Sequence, residues 1–465
     1  MNKLKLAVAL SAASLLAACG SDSDDNNTSQ PASYTFPSKL AEGESSVVFT
    51  GQAARHLLIN ELYQFIKSDK FQAGFTNEAD ALAALNTIYV DGIDPADAGT
   101  LYDTDIYGAT GTSSTPVSLS IDGFTLEQAN FKAVGDVAGG KNLKGKLAGQ
   151  DNDLAADFIG WEIAAGTESA KPDALLQEWF AVLAERAADS DPDTTYVDEA
   201  TGIDYQQLVQ KFLLGAVTYS QAAEDYMKAT KGLVKQNTTG DTYTDLEHQW
   251  DEGFGYFGAS IDYLSKSDAD NKANPAIDSD GNGKIDLLTG EYSFGHSVNA
   301  NKRDAGSNGA TDFSREAMEA FIAGRQLIQD NIGTDPVAGQ GYHVQLVDHA
   351  KTALGAWEKA VAATAVHYIN DTITDLNKVG TNEENIPSLA KRWSELKGFA
   401  LGLQFSPADV SIISRDDLIS IHALIGEAPK FANATEIENY ITDLEEARDI
   451  FKDAYGFDAT VVANW

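Results

Sequence analysis

Apolar positions recur every three to four residues over long stretches of this chain, a spacing that predicts amphipathic helices. Val47–Lys67 is the first, with Leu58, Leu62 and Phe65/Ile66 on one face. Further helices are expected at 172–187, 202–231, 242–266, 313–331, 342–378, 385–402, 408–424 and 434–454. The longest, 342–378, sets Leu346, Ala350, Leu354, Trp357, Val361, Thr364 and Tyr368 down a single stripe, which predicts a helix buried along one side. Pro387 falls in the first turn of its segment, where its missing N–H costs little.

Two stretches break the pattern. Gly92–Gly149 is rich in Gly, Ser, Thr and Asp, and the alternation from Val117 to Ile121 predicts a small hairpin. One short helix is expected around Leu126–Val134. Ser267–Gly309 reads as a second irregular insert. Long amphipathic helices with few strands predict a mainly α fold of up-and-down helical bundles with irregular loop inserts. Eight or more helices are too many for one four-helix bundle, so two bundles divided near residue 235 are expected. No short-period repeat is visible.

Charge narrows the function. Across 465 residues, 33 Lys+Arg against 70 Asp+Glu leave a formal charge of −37. A surface that acidic repels phosphate backbones and anionic lipid, so nucleic acid is not an expected partner. The N-terminus points to an address. Lys3 and Lys5 precede a mostly apolar run, Leu6–Leu16, too short to span a bilayer and suited to a signal peptide. The run ends in Leu16-Ala17-Ala18-Cys19-Gly20, which resembles the bacterial lipobox, whose cysteine is lipidated and becomes the first mature residue. Residues 1–18 are then the signal peptide, 19–33 a polar tether and 34–465 the body. The resemblance implies a lipid anchor in the outer membrane, on its periplasmic or surface face, because Gly20 stands where retention at the inner membrane prefers Asp. A plain secretory signal with an incidental cysteine is the competing reading. Cys19 is the only cysteine, which excludes intramolecular disulfides and cysteine-based zinc sites.

Residues 278–286 carry a cation-loop spacing. Asp278, Asp280, Asn282 and Asp286 fall at loop positions 1, 3, 5 and 9. Gly283 is at the sharp turn, and Lys284 is at the position where a backbone carbonyl binds. Position 12, where an EF-hand has a bidentate glutamate, is Thr289, so a single structural calcium loop is expected, with Glu291 able to close the sphere. The competing reading is a solvated turn.

On the 242–266 segment, His248 precedes Asp251 by three residues and Glu252 by four, which puts all three near one helix face. An imidazole and two carboxylates can bind a transition metal or form a structural pair. No second histidine completes a His-Glu-x-x-His zinc motif. Arg55 and His56 on the first helix are candidates for the same site. The glycines at 253, 255 and 258 suggest close helix approach or a kink, and His296, after a glycine in the insert, is expected to be exposed.

The His248–Asp251 stretch resembles, in diverged form, the Gly-x-His-x-x-Glu helix of imelysin-like proteins, with Leu246 in place of Gly and Asp251 in place of Glu. That resemblance implies a two-bundle helical fold and a periplasmic or lipoprotein role linked to iron uptake. Phe49-Thr50-Gly51-Gln52, Arg55-His56, His248 to Gly258, and Ser293 to His296 leading to Lys302-Arg303-Asp304 also resemble an uncharacterised family of bacterial lipoproteins. The expected function is therefore a membrane-anchored binding lipoprotein with a structural calcium, taking a metal (iron or another transition metal) or a metal-bearing or surface-protein partner. A structural or adhesive lipoprotein is the alternative, and a peptidase is a lesser one.

Overall fold

The computed structural model describes residues 32–92, 138–149, 158–163, 171–189 and 196–465, with the backbone of 118–121 and 124–127. The signal peptide, Cys19 and most of the tether lie outside the described residues, as does 128–134 of the expected short helix. The fold is mainly α. Its helices are α1 Thr50–Lys67, α2 Asp69–Ala73, α3 Glu78–Asn86, α4 Lys171–Ala188, α5 Tyr205–Leu213, α6 Asp245–Phe257, α7 Asp268–Ala273, α8 Gly295–Gly306, α9 Phe313–Asp330, α10 Tyr342–Leu376, α11 Ile386–Leu403, α12 Arg415–Ile425, α13 Ala434–Tyr455 and α14 Ala459–Val462. Two antiparallel ladders complete the described set: β1 Ser118–Ile121 with β2 Phe124–Glu127, the expected hairpin, and β3 Val197–Asp198 with β4 Ile203–Asp204. Among the described residues no helix is long and apolar enough to cross a membrane.

α10 is the axis of the body. The expected single stripe understates its burial. Leu346, Leu354, Trp357 and Val361 are buried, but so are Ala353, Ala356, Ala360, Ala362, Ala363 and Ala365 around the rest of the helix. Alanine has no bulk to hold neighbours away, so α9 and α11 pack along α10, joined by α8 and α13. α11 in turn packs on α5, and α1 lies against α5 and α6. Pro31–Trp465 is one compact unit, and the point near residue 235 falls inside it. The apolar core is continuous across that point, running from Leu57 and Phe212 through Phe254 and Phe321 to Trp357 and Trp393.

Two further expectations change. The segment 202–231 is not one α-helix: after α5 the chain widens into π-helical turns at Leu214–Tyr219 and Ala222–Tyr226. The Thr218 and Ser220 hydroxyls donate to the Leu214 and Ala216 carbonyls within this stretch, a back-bonding that loosens the α ladder. The second insert is not wholly irregular, since it contains α7 and α8. α8 escapes a hydrophobic reading because its buried side is largely polar: His296, Ser297, Asn301, Arg303 and Asp304.

Candidate functional site

α6 begins at a capping box. Thr244 accepts from the Glu247 N–H, and the Glu247 carboxylate accepts from the Thr244 N–H at 2.8 Å. Glu247 and Asp251, one turn apart, share the buried stripe with Phe254, and both carboxylates are fully buried. Arg325 of α9, also fully buried, answers them. Its Nη1 donates to Glu247 Oε1 at 2.8 Å and its Nε to Asp251 Oδ1 at 2.8 Å. Nη2 donates to Ser46 Oγ at 2.7 Å, and the guanidinium lies 4.9 Å from the Phe36 ring centre. Asp251 also accepts from the Tyr34 hydroxyl at 2.8 Å and the Val48 N–H at 3.2 Å. Burial pushes the Asp251 carboxyl upward against the pull of Arg325, Tyr34 and Val48. For Arg325 burial acts downward, but Asp251, Tyr34 and Glu247 outweigh it and the net shift is upward. Each group here is hydrogen-bonded, and together they pin the entering segment of the body, 34–48, to α6 and α9.

The expected trio is therefore split. Asp251 faces the core. His248 and Glu252 lie on the next stripe, 3.8 Å apart at their nearest atoms, with the imidazole stacked on Tyr243 at 4.8 Å. Glu252 accepts from Gln52 Nε2 at 2.9 Å. The cause is angular: positions i+3 and i+4 diverge enough for one to follow Glu247 inward and the other to stay half-exposed. Gly255 serves close approach, as expected, because a Cβ there would sit 2.6 Å from Phe49 Cβ.

Arg55 and His56 also part. Arg55 donates to the Asn142 and Gly51 carbonyls. His56 is buried, stacks on Phe294 at 5.2 Å and places Nε2 3.2 Å from the Gly255 and Tyr256 carbonyls. Burial lowers its pKa to about 4, against the pull of those two carbonyls. The neutral ring then donates from Nε2, and its edge forms part of a cleft wall. His296 is buried rather than exposed. Its Nδ1 accepts from Trp357 Nε1 at 2.7 Å, and burial lowers its pKa to about 3.

The 278–291 loop is drawn together as the spacing suggests. Asp278, Asp280 and Glu291 each offer a carboxylate oxygen within 4.8 Å of the others. Gly283 has φ +81°, the left-handed turn that lets the chain fold around the centre. Asp278 accepts from the Asn282 and Gly283 N–H groups, and Asn282 Oδ1 from the Lys284 N–H. Asp286 is buried and accepts from the Leu288 N–H. Glu291, at loop position 14, is also buried and accepts from the N–H groups of Ser279, Asp280 and Asp286. A second acid cluster, Asp268, Asp304 and Asp312, was not anticipated. It already serves the fold, since Asp304 accepts from the Phe313 and Ser314 N–H groups and so caps α9.

Sequence reasoning missed Glu247 and Arg325. The capping box Thr244-x-x-Glu247 was a legible signal for the first. Arg325 sits in a helix stripe without any such mark.

No curated protein and no solved structure matches the chain. A family described as a domain of unknown function (DUF4856) matches residues 181–427, more than half of the 465. The match takes in α6, the 278–291 loop, α8 and Arg325, whereas α1 lies outside it. The chain belongs to the DUF4856 family.

Proposed function

We propose that this chain is a lipid-anchored extracytoplasmic binding protein whose helical body is stabilised by one calcium ion in the 278–291 loop. The observation that carries the calcium reading is the convergence of Asp278, Asp280 and Glu291. Three carboxylates at that separation repel one another unless a cation joins them, and a donor set made only of oxygen suits a hard cation. Asn282, Asp286 and the Lys284 carbonyl are the remaining ligand candidates. The anchor is supported by Leu16-Ala17-Ala18-Cys19, and a place at the outer membrane by Gly20 after it. Iron or another transition metal at α6 has weaker support, because Asp251 is occupied by Arg325, Tyr34 and Val48, which leaves His248 and Glu252 as two ligands. An association with iron uptake, or with a metal-bearing partner, rests on the imelysin resemblance alone.

The test is calcium content and melting temperature of protein purified without chelator. One calcium per chain is expected, with a fall in melting temperature on chelation that the Asp278→Asn/Asp280→Asn variant does not show. A hundredfold excess of calcium over Kd is worth about 2.7 kcal/mol. Identical melting with calcium and with chelator, and no bound calcium, would end the calcium reading. Cys19→Ala should leave the membrane fraction, and retention there would end the anchor.

A further inference from the structure

A cleft of about 370 Å³ opens between α1, α5, α8 and the second turn of α11. Its lining contradicts the rest of the surface. The protein carries a formal charge of −37, yet Lys67, Lys211, Lys302 and Lys391 line this cleft and, among the described residues, no Asp or Glu does. Lys67 and Lys391 have no carboxylate partner among the described residues. Glu395, 3.7 Å from Lys211 Nζ, lies outside the lining. Four ammonium groups around one hollow repel one another, so the arrangement is stabilised by an anion between them.

Two independent features border the same space. The N-terminus of α8 reaches the cleft at Gly295, and no side chain caps it. Its first N–H groups and the positive end of a 12-residue helix are a site for negative charge. Asn60 of α1 also lines the cleft. It is 5% exposed, and neither its Oδ1 nor its Nδ2 has a hydrogen-bond partner. A buried amide with both ends unmet costs free energy unless a ligand or ordered water meets it. His56 in the same wall is neutral near pH 7, so the cationic character comes from the lysines.

We propose that this cleft binds a small anion bearing phosphate or carboxylate groups, gripped by Lys67, Lys211, Lys302 and Lys391, by the open N-terminus of α8 and by the Asn60 amide. Lysines act as movable point charges rather than as the planar fork of arginine, so the site selects charge and size more than one oxyanion geometry. The acidic charge of the rest of the chain disfavours anions elsewhere. The proposal stands apart from the calcium reading, and failure of one leaves the other in place.

The experiment is calorimetric titration of the calcium-loaded, full body with sodium phosphate and, separately, sodium succinate, with sodium chloride at matched ionic strength as the control. Neither probe strips calcium as strong chelators do. Saturable one-to-one binding of at least one probe is expected. Phosphate alone would identify phosphate compounds as the class, and succinate alone carboxylates. Lys67→Gln/Lys391→Gln should weaken binding about tenfold, as should Asn60→Leu. Asn60→Leu should do so without lowering the melting temperature, because it removes an unmet buried amide. Three results would overturn the proposal: no saturable binding of either probe up to about 10 mM; equal affinity in wild type and the lysine variant; or Asn60→Leu that melts lower and binds as wild type. The two lysines are exposed, so their variant keeps the fold and decides the matter even if Asn60→Leu does not fold.

Discussion

Around Arg325, two carboxylates, a guanidinium, a tyrosine hydroxyl and a serine hydroxyl are sealed from water, and each is bonded to another. Around Asn60 the balance is reversed: four lysines surround a hollow, and a buried amide has nothing to bond. Both clusters are built from ionisable and polar groups on neighbouring helices, so residue type alone does not separate them. Satisfaction does. A buried charge whose donors and acceptors are all taken holds the fold, because another ligand would first have to displace them. A buried polar group left open beside unpaired charge invites a ligand. On α6, where histidine and carboxylates are conspicuous in the sequence, Asp251 belongs to the satisfied cluster and His248 and Glu252 do not.

The largest effect expected from breaking this comparison is at Arg325. Arg325→Met leaves Glu247 and Asp251 buried without their cation, and about 3–5 kcal/mol of stability should be lost in urea unfolding. Adding Glu247→Gln and Asp251→Asn should recover part of that loss, since removing every charge together is far less costly than orphaning two. Arg325→Met as stable as wild type would show that the network does not hold α9 to α6.

His56 gives the next effect and a pH dependence. Its folded pKa is about 4, while an exposed histidine titrates near 6.5. Between those values the unfolded chain binds the proton and the folded chain does not. The contribution of His56 is therefore fully present above about pH 6.5, falls as pH drops toward 4, and is gone below. The shift limits it to about 3 kcal/mol. His296, lowered to about 3, acts in the same direction, whereas Asp204, raised to about 7 by burial, opposes them because its folded form takes up protons first. The clean measurement is thus a difference: the stability gap between wild type and His56→Leu should narrow as pH falls from 6.5 to 4. A constant gap would mean that His56 is not buried in the neutral form.

Glu291 sharpens the comparison at the loop. Its two oxygens accept three backbone N–H groups, so it supports the loop with or without an ion. Glu291→Gln should cost about 1–2 kcal/mol even in chelator, whereas Asp278→Asn, at an exposed carboxylate that accepts two N–H groups, should cost less there and more with calcium. Equal losses for both variants in chelator would remove the distinction.

The legible parts of the molecule share one property: their signal is local. Helix spacing, the cap at Pro387 and the Asp-Ser-Asp-Gly-Asn-Gly loop are read from neighbours in the chain. The unreadable parts were made by distant partners. α8 buries polar residues because Trp357 and Asp268 supply their bonds from 61 and 33 positions away. The middle of α10, 353–366, is buried on nearly every side because its alanines admit helices from either side. The cleft draws Asn60, Lys211, Gly295 and Lys391 from four separate helices, and no spacing rule connects them.

His248 gives the smallest effect, and the comparison depends on its being small. It was the centre of the metal expectation, so a large effect would reopen α6 as a site. The structure leaves it with one carboxylate at 3.8 Å and a stacking partner, both on a half-exposed stripe. An exposed i,i+4 ion pair contributes about 0.3–0.5 kcal/mol, and the Tyr243 contact adds a similar amount. His248→Ala should therefore cost less than about 1 kcal/mol. It should leave calcium content unchanged and should not alter cobalt or zinc titrations of protein whose calcium loop is disabled. Loss of a stoichiometric transition-metal site in that variant would mean that Glu252 and further groups close on His248 in solution, and that satisfaction at Arg325 does not exclude binding one stripe away.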